Sequence, residues 1–176
     1  HGLSKSINSG LDENRFHLVY QPVINPITNE LKGFEALLRH TSSSGELIPP
    51  DEFIPIAEQN GAIIGIGEWV LKESMAQLKY WKKNYYNSLR LAINVSPVQL
   101  KSDKLIMLLK ECIQIYDLDA SDIEIELTET AILTLDKVTL DSINAMKEIG
   151  VRLSLDDFGT GYSSISHLLS LPINTV

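Results

Sequence analysis

The chain has 176 residues, 44% of them hydrophobic, and a formal net charge of −8. That is about the length of one domain, and the apolar share supports a sizeable core, which excludes a disordered chain. The acid excess excludes a duplex nucleic-acid surface, which is normally basic, and it suits a site that holds metal ions.

Residues 1–14 read as a tag or linker, or as a short helix, ahead of a domain over 15–176. Phe16 to Val23 alternates as a strand, with Pro22 placing it at an edge. Pro26 to Asn29 is a turn, and Leu31 to His40 is a second strand; so short a connection predicts an antiparallel hairpin. Residues 41–50 form a Ser/Gly/Pro loop. Asp51 is expected to cap a helix over 52–59 that Gly61 ends. A longer helix covers 66–83, with Ile66, Trp69, Val70, Leu78 and Trp81 on one stripe, and Leu89 to Val95 is a strand. Leu105, Leu108, Leu109, Cys112, Ile113 and Tyr116 make the apolar stripe of a helix over 104–116. A strand over 123–127 follows, then a helix over 136–149 with Val138, Ile143, Met146 and Ile149 inward, closed by Gly150. A strand over 151–156, a Gly-rich loop, a helix near 163–170 and the start of a strand at Ile173 complete the chain.

Two of these strands carry the argument. Ile123, Ile125 and Leu127 face one way and Glu124 and Glu126 the other; Val151, Leu153 and Leu155 oppose Arg152, Ser154 and Asp156. A strand, a helix and a strand is the βαβ unit of a parallel sheet, whose two faces are ordinarily both apolar. One polar face ending in carboxylates is natural in a barrel with a site at one mouth. Asn94, Glu126 and Asp156 each end a predicted strand, one βα unit apart, and the C-terminal strand ends of a β/α barrel converge on one mouth. Glu35 and Arg39 share that parity on the second strand. Three carboxylates and an amide repel if left bare, and a divalent cation with oxygen ligands resolves the repulsion; an all-oxygen set favours Mg2+ or Mn2+. Asp157, directly after Asp156, extends the set to two ions. Lower on the same strands, Arg90, Glu124 and Arg152 read as a buried or half-buried structural ion cluster at the barrel floor.

Other signals carry no function. Asp157-Phe158-Gly159 lacks the companion motifs of a kinase. His17, His40 and His167 are too scattered to form a metal set, and Trp69 and Trp81 are core by spacing. The single Cys112 excludes an internal disulfide and fits a reducing compartment. No stretch approaches the ~20 apolar residues of a membrane span. The domain is expected in the cytoplasm, with any membrane anchor of the full protein outside these residues.

Six stretches together resemble the EAL-domain phosphodiesterases: Y-Q-P-V at 20–23, E-A-L-L-R at 35–39, P-x-E-F-I-P-I-A-E at 50–58, N-V-S at 94–96, E-L-T-E at 126–129 and D-D-F-G-T-G-Y-S-S at 156–164. The resemblance runs from about Phe16 to Val176. It implies a (β/α)8 TIM-like barrel with one antiparallel strand, and hydrolysis of cyclic di-GMP to linear pGpG with Mg2+ or Mn2+, two ions per site. It implies that Glu35, Asn94, Glu126 and Asp156 hold the first ion and Asp156 and Asp157 the second, with a bridging water attacking phosphorus in line. Gln21, Leu38 and Arg39 match substrate-contacting positions. Residues 156–164 match a loop that orders the second ion and a homodimer contact, and Glu129 matches the residue that braces it. Fusion to upstream sensor or GGDEF-type domains is also implied.

The family motif matching Leu171 to Val176 usually continues with a lysine in K-I-D and two further strands. The 176 residues by themselves are therefore expected to form an incomplete barrel without activity. Two rival readings stand beside the phosphodiesterase. One is an inert cyclic di-GMP receptor of the same fold. The other is an unrelated metal-dependent barrel enzyme, which would need a lysine or histidine base at a strand end.

Overall fold

The computed structural model describes residues 2–128, 131 and 136–156, with residue 156 described by its backbone alone. The sheet grows from the alternation in the sequence. Strand β1 (Phe16–Ile24) runs antiparallel to β2 (Leu31–Thr41), and Pro22 sits on this edge strand as expected. Strand β3 (Leu47–Ile48) adds a short antiparallel pairing to the end of β2. Strands β4 (Arg90–Val95), β5 (Ile123–Thr128) and β6 (Arg152–Asp156) then follow β2 in parallel, giving the order β1-β2-β4-β5-β6.

Helix α1 (Gly2–Gly10) precedes the hairpin. Helices α2 (Pro50–Asn60) and α3 (Ala62–Asn84) connect β3 to β4. Helices α4 (Pro97–Leu100) and α5 (Asp103–Ile115) connect β4 to β5, and α6 (Lys137–Ile149) leads into β6. Leu91, Ile93 and Val95 of β4, Ile123, Ile125 and Leu127 of β5, and Leu153 and Leu155 of β6 join one buried core with Leu71, Met75 and Leu78 of α3 and Leu109 of α5. Each such side chain stabilises the fold by about 1.5–3 kcal/mol when fully buried. The alternate residues, Asn94, Glu124, Glu126 and Ser154, are thereby turned to the opposite face. This is the β/α-barrel architecture the pattern predicts.

One glycine sets the spacing of the second and third barrel strands. Gly33 lies in register with Arg90, and a Cβ added there would stand 2.1 Å from the Arg90 carbonyl oxygen. Only a residue without a side chain allows the strands to approach so closely.

Residues 3–14 resolve into α1 and its turn. Ile7 is buried, and Asn60 Nδ2 of α2 donates to Ser4 Oγ at 3.2 Å and Asn8 Oδ1 at 3.1 Å. Arg15 Nη1 donates to Ser6 Oγ at 2.7 Å, and Ser6 Oγ in turn lies 3.1 Å from Nε2 of His40. His40 is fully buried at the end of β2, its ring stacked on Phe16 at 4.4 Å.

Several expectations are corrected. Asp51 does not cap α2: the helix starts at Pro50, with Pro49 at the N-cap and no side-chain cap, and Asp51 falls in the first turn. Proline is preorganised for that first helical position and has no N–H to leave unpaired. Gly61 and Gly150 end their helices as predicted, in the left-handed conformation. Val138 is half exposed, because α6 turns Thr139, Ile143 and Met146 inward instead. Trp69 and Trp81 are only partly buried; Trp81 fills the hairpin side of α3, 4.8 Å from the Tyr20 ring and 4.6 Å from Phe34. The helix near 163–170, the strand from Ile173, and Glu129 and Asp157 lie outside the described residues.

Candidate active site

The strand registers bring the predicted ligands together as a staggered row. Gln21 of β1 stands opposite Glu35 of β2, and Glu35 stands opposite Ala92 of β4. Asn94, two residues further along β4, reaches back diagonally, its Nδ2 donating to Glu35 Oε1 at 2.9 Å. Asn94 is in register with Glu126, and Glu126 with Ser154, while Asp156 stands opposite Thr128 one pleat higher. The row climbs toward the strand C-termini from β2 to β6, as strand shear in a barrel requires. Glu35, Asn94 and Glu126 thus occupy neighbouring positions on one face, with the backbone of Asp156 next along it.

The donor set suits a hard divalent cation, since every candidate ligand offers oxygen. Among the described residues no group of three or more His, Cys, Asp or Glu side chains gathers as a metal site. The described part of the row is two glutamates with an asparagine between them.

Two cavities flank the row. On the C-terminal side a cleft of ≈ 310 Å3 opens between the end of β2, α2, α3 and the end of β4; Leu38, Arg39, Asp51, Glu58, Asn94 and Thr128 are on its wall. Arg39 Nη1 donates to the Leu38 carbonyl at 2.9 Å, which leaves the rest of its guanidinium fork for other acceptors. On the other side a cavity of ≈ 210 Å3 is bordered by Lys32, Arg90, Glu124, Glu126 and Arg152. Here Arg152 Nε lies 3.9 Å from Glu124 Oε2, both side chains half-buried. Arg90 is exposed, so the expected three-residue cluster is a half-buried pair with Arg90 on the rim.

The EAL domain family matches this chain over residues 4–176. The chain belongs to the EAL-domain family. The match begins inside α1, the helix that packs Ile7 into the core. This EAL domain is 38% identical over 170 residues to signaling protein YkoW of Bacillus subtilis, covering 96% of the chain and 21% of that protein. It is 35% identical over 174 residues to the cyclic di-GMP phosphodiesterase PdeR of Escherichia coli, covering 99% of the chain and 26% of that protein. The solved structure of the PaMucR phosphodiesterase in complex with c-di-GMP superposes with a TM-score of 0.90 at 32% identity, over 98% of this chain and 70% of that one. The chain therefore spans about a quarter of the length of these curated relatives. No helix among the described residues of this EAL domain is long and apolar enough to cross a membrane.

Reading the strands alone misses the far wall of the cleft. Asp51, Glu58 and Ser96 reach it from α2 and from the turn after β4. The signal was present in P-x-E-F-I-P-I-A-E and N-V-S, which contain all three residues or their immediate neighbours, but nothing in their spacing tells that the two stretches meet.

Proposed function

We propose that this EAL domain hydrolyses cyclic di-GMP to linear pGpG, using Mg2+ or Mn2+. The observation that carries the reading is the contact of Asn94 with Glu35, in a row that continues through Glu126 toward Asp156. The names of PdeR and PaMucR, and the nucleotide in the latter's structure, support the same substrate.

Glu35, Asn94, Glu126 and Asp156 would hold the first cation, and Asp156 with Asp157 the second. Cations bound there would polarise a phosphoryl oxygen and lower the pKa of water. Asn94 donates one amide hydrogen to Glu35 and so fixes the direction of that carboxylate. Arg39 and Leu38, on the cleft wall, would seat the nucleotide, with the guanidinium as the charge partner of a phosphate. Gln21, opposite Glu35, would approach it from the hairpin side. Glu129 would brace the loop that carries Asp157. A homodimer through the region after β6, fusion to upstream signalling domains and a cytoplasmic setting complete the reading.

The test uses the full-length protein that carries this chain, assayed for Mn2+ binding, nucleotide binding and pGpG formation. Metal binding, nucleotide binding and hydrolysis together support the phosphodiesterase. Nucleotide binding without turnover assigns the domain to inert receptors, and loss of nucleotide binding altogether overturns the reading.

A further inference from the structure

We infer that Glu58 is a positioning residue for the metal row, acting through Ser96 on Asn94; the inference rests on the function proposed above. Ser96 follows Asn94 by two residues, directly after the end of β4. Its hydroxyl donates to Glu58 Oε1 on α2 at 2.5 Å and accepts from the Val98 backbone N–H at 3.2 Å. Both capacities of the hydroxyl are therefore used. The Ser96 backbone N–H donates to Gln99 Oε1 at 3.0 Å, closing a capping box at the start of α4. Gln99 is itself buried against Gly67 of α3, where an added Cβ would lie 1.8 Å from Gln99 Nε2.

The turn after β4 is thus held from three helices: by Glu58 of α2, by the α4 cap, and through Gln99 by α3. Without these restraints the last residues of a strand fray, and Asn94 is next to last. A carboxylate accepting from a hydroxyl makes a charge-assisted hydrogen bond, roughly twice as strong as a neutral one. Glu58 is therefore the strongest of the three restraints and the only charged one. Groups behind a metal ligand that fix its orientation typically change metal affinity or activity by about 10–100-fold when lost. Glu58 also borders the cleft, so a direct substrate contact is the competing role.

The experiment follows Mn2+ affinity, kcat, KM for cyclic di-GMP and Tm in the full-length protein. Wild type and Asn94→Ala come first: if wild type binds no Mn2+, the proposed function fails and not this inference. Given wild-type binding, Glu58→Ala is expected to weaken Mn2+ roughly tenfold and to lower kcat. KM should stay within about twofold. Glu58→Gln, whose amide oxygen still accepts from Ser96, should restore both. The double variant Asn94→Ala with Glu58→Ala should bind Mn2+ no more weakly than Asn94→Ala alone, because Glu58 acts through Asn94. Ser96→Ala removes the same bond from the other side and stands in if Glu58→Ala does not fold. Unchanged Mn2+ affinity in Glu58→Ala or its stand-in, additive losses in the double variant, or a rise in KM alone would overturn the inference.

Discussion

Glu35 is in register with Ala92, yet its Oε1 is held at 2.9 Å by the amide of Asn94, one pleat further along β4. The diagonal contact makes a neutral amide the partner of a carboxylate where a second carboxylate would repel it. Asn94→Asp is therefore expected to destabilise the metal-free protein by about 1 kcal/mol, the scale of a partly exposed charge interaction. Added Mn2+ should recover the loss. Thermal unfolding with and without the ion checks this; a variant as stable as wild type in chelator would contradict it. Glu35→Ala should remove turnover by more than about 100-fold, beyond the loss typical of outer-shell partners.

Arg39 offers a second, separable test. It borders the cleft with Leu38 and keeps most of its guanidinium donors for a ligand. Arg39→Ala should weaken nucleotide binding by about 1.5–3 kcal/mol, the value of a hydrogen bond to a charged group. Mn2+ affinity should hardly change. Calorimetric titration of each ligand decides: equal losses for both would place Arg39 among the metal-supporting residues.

Gly33→Ala addresses the scaffold. The new methyl would meet the Arg90 carbonyl oxygen, a backbone atom that cannot rotate away. Overpacking of this kind costs about 1–3 kcal/mol. The urea midpoint should fall accordingly, with a larger loss of Mn2+ affinity than an exposed alanine substitution on α5 would give, because β2 carries Glu35. A wild-type midpoint would mean that the strands can separate freely.

His40 predicts a pH dependence. Burial holds its imidazole below the ordinary value; the backbone hydrogen bond with Arg15 opposes this, and the Arg15 guanidinium adds to the lowering. A base whose folded pKa is depressed binds more protons when unfolded. Its contribution to stability is present above the unfolded value, about 6.5, and is lost as pH falls toward the folded one. His40→Phe keeps a ring against Phe16 and removes the titration. Wild type should lose more stability than His40→Phe between pH 7.5 and 5.5; parallel curves in urea would show that His40 takes up its proton equally in the folded and unfolded states.

Much of the fold was legible because a strand with one buried face writes its period into the sequence. Ile123, Ile125 and Leu127 against Glu124 and Glu126 fix both the strand and the side on which the carboxylates stand. Helix stripes were legible for the same reason, although Val138 misled: it lies two turns before Met146, but Thr139, four residues before Ile143, is the one on the buried stripe. Helix α4 and strand β3 span four and two residues, about one period of their patterns and too short for a repeat to show. The bond between Glu58 and Ser96 was illegible for a different reason: it joins two elements whose faces touch only after the strand between them has taken its place.

The pairings of β2 with β1 and with β4 differ in what it takes to form them. Its antiparallel partner β1 is a short turn away, whereas its parallel partner β4 lies beyond two helices. Closing a short loop loses less chain entropy, and pairings distant in sequence are the slow ones. The hairpin should therefore be the early element and β4 the late arrival. A slip of one residue while β1 and β2 zip together would turn Glu35 to the helix side and Ala36 to the site. Pairing of Phe16 with His40, which brings two stacked rings together at the far end of the hairpin, opposes that slip. An aromatic stack well away from the carboxylates is thus expected to act as the gauge that sets on which side of β2 the site is built.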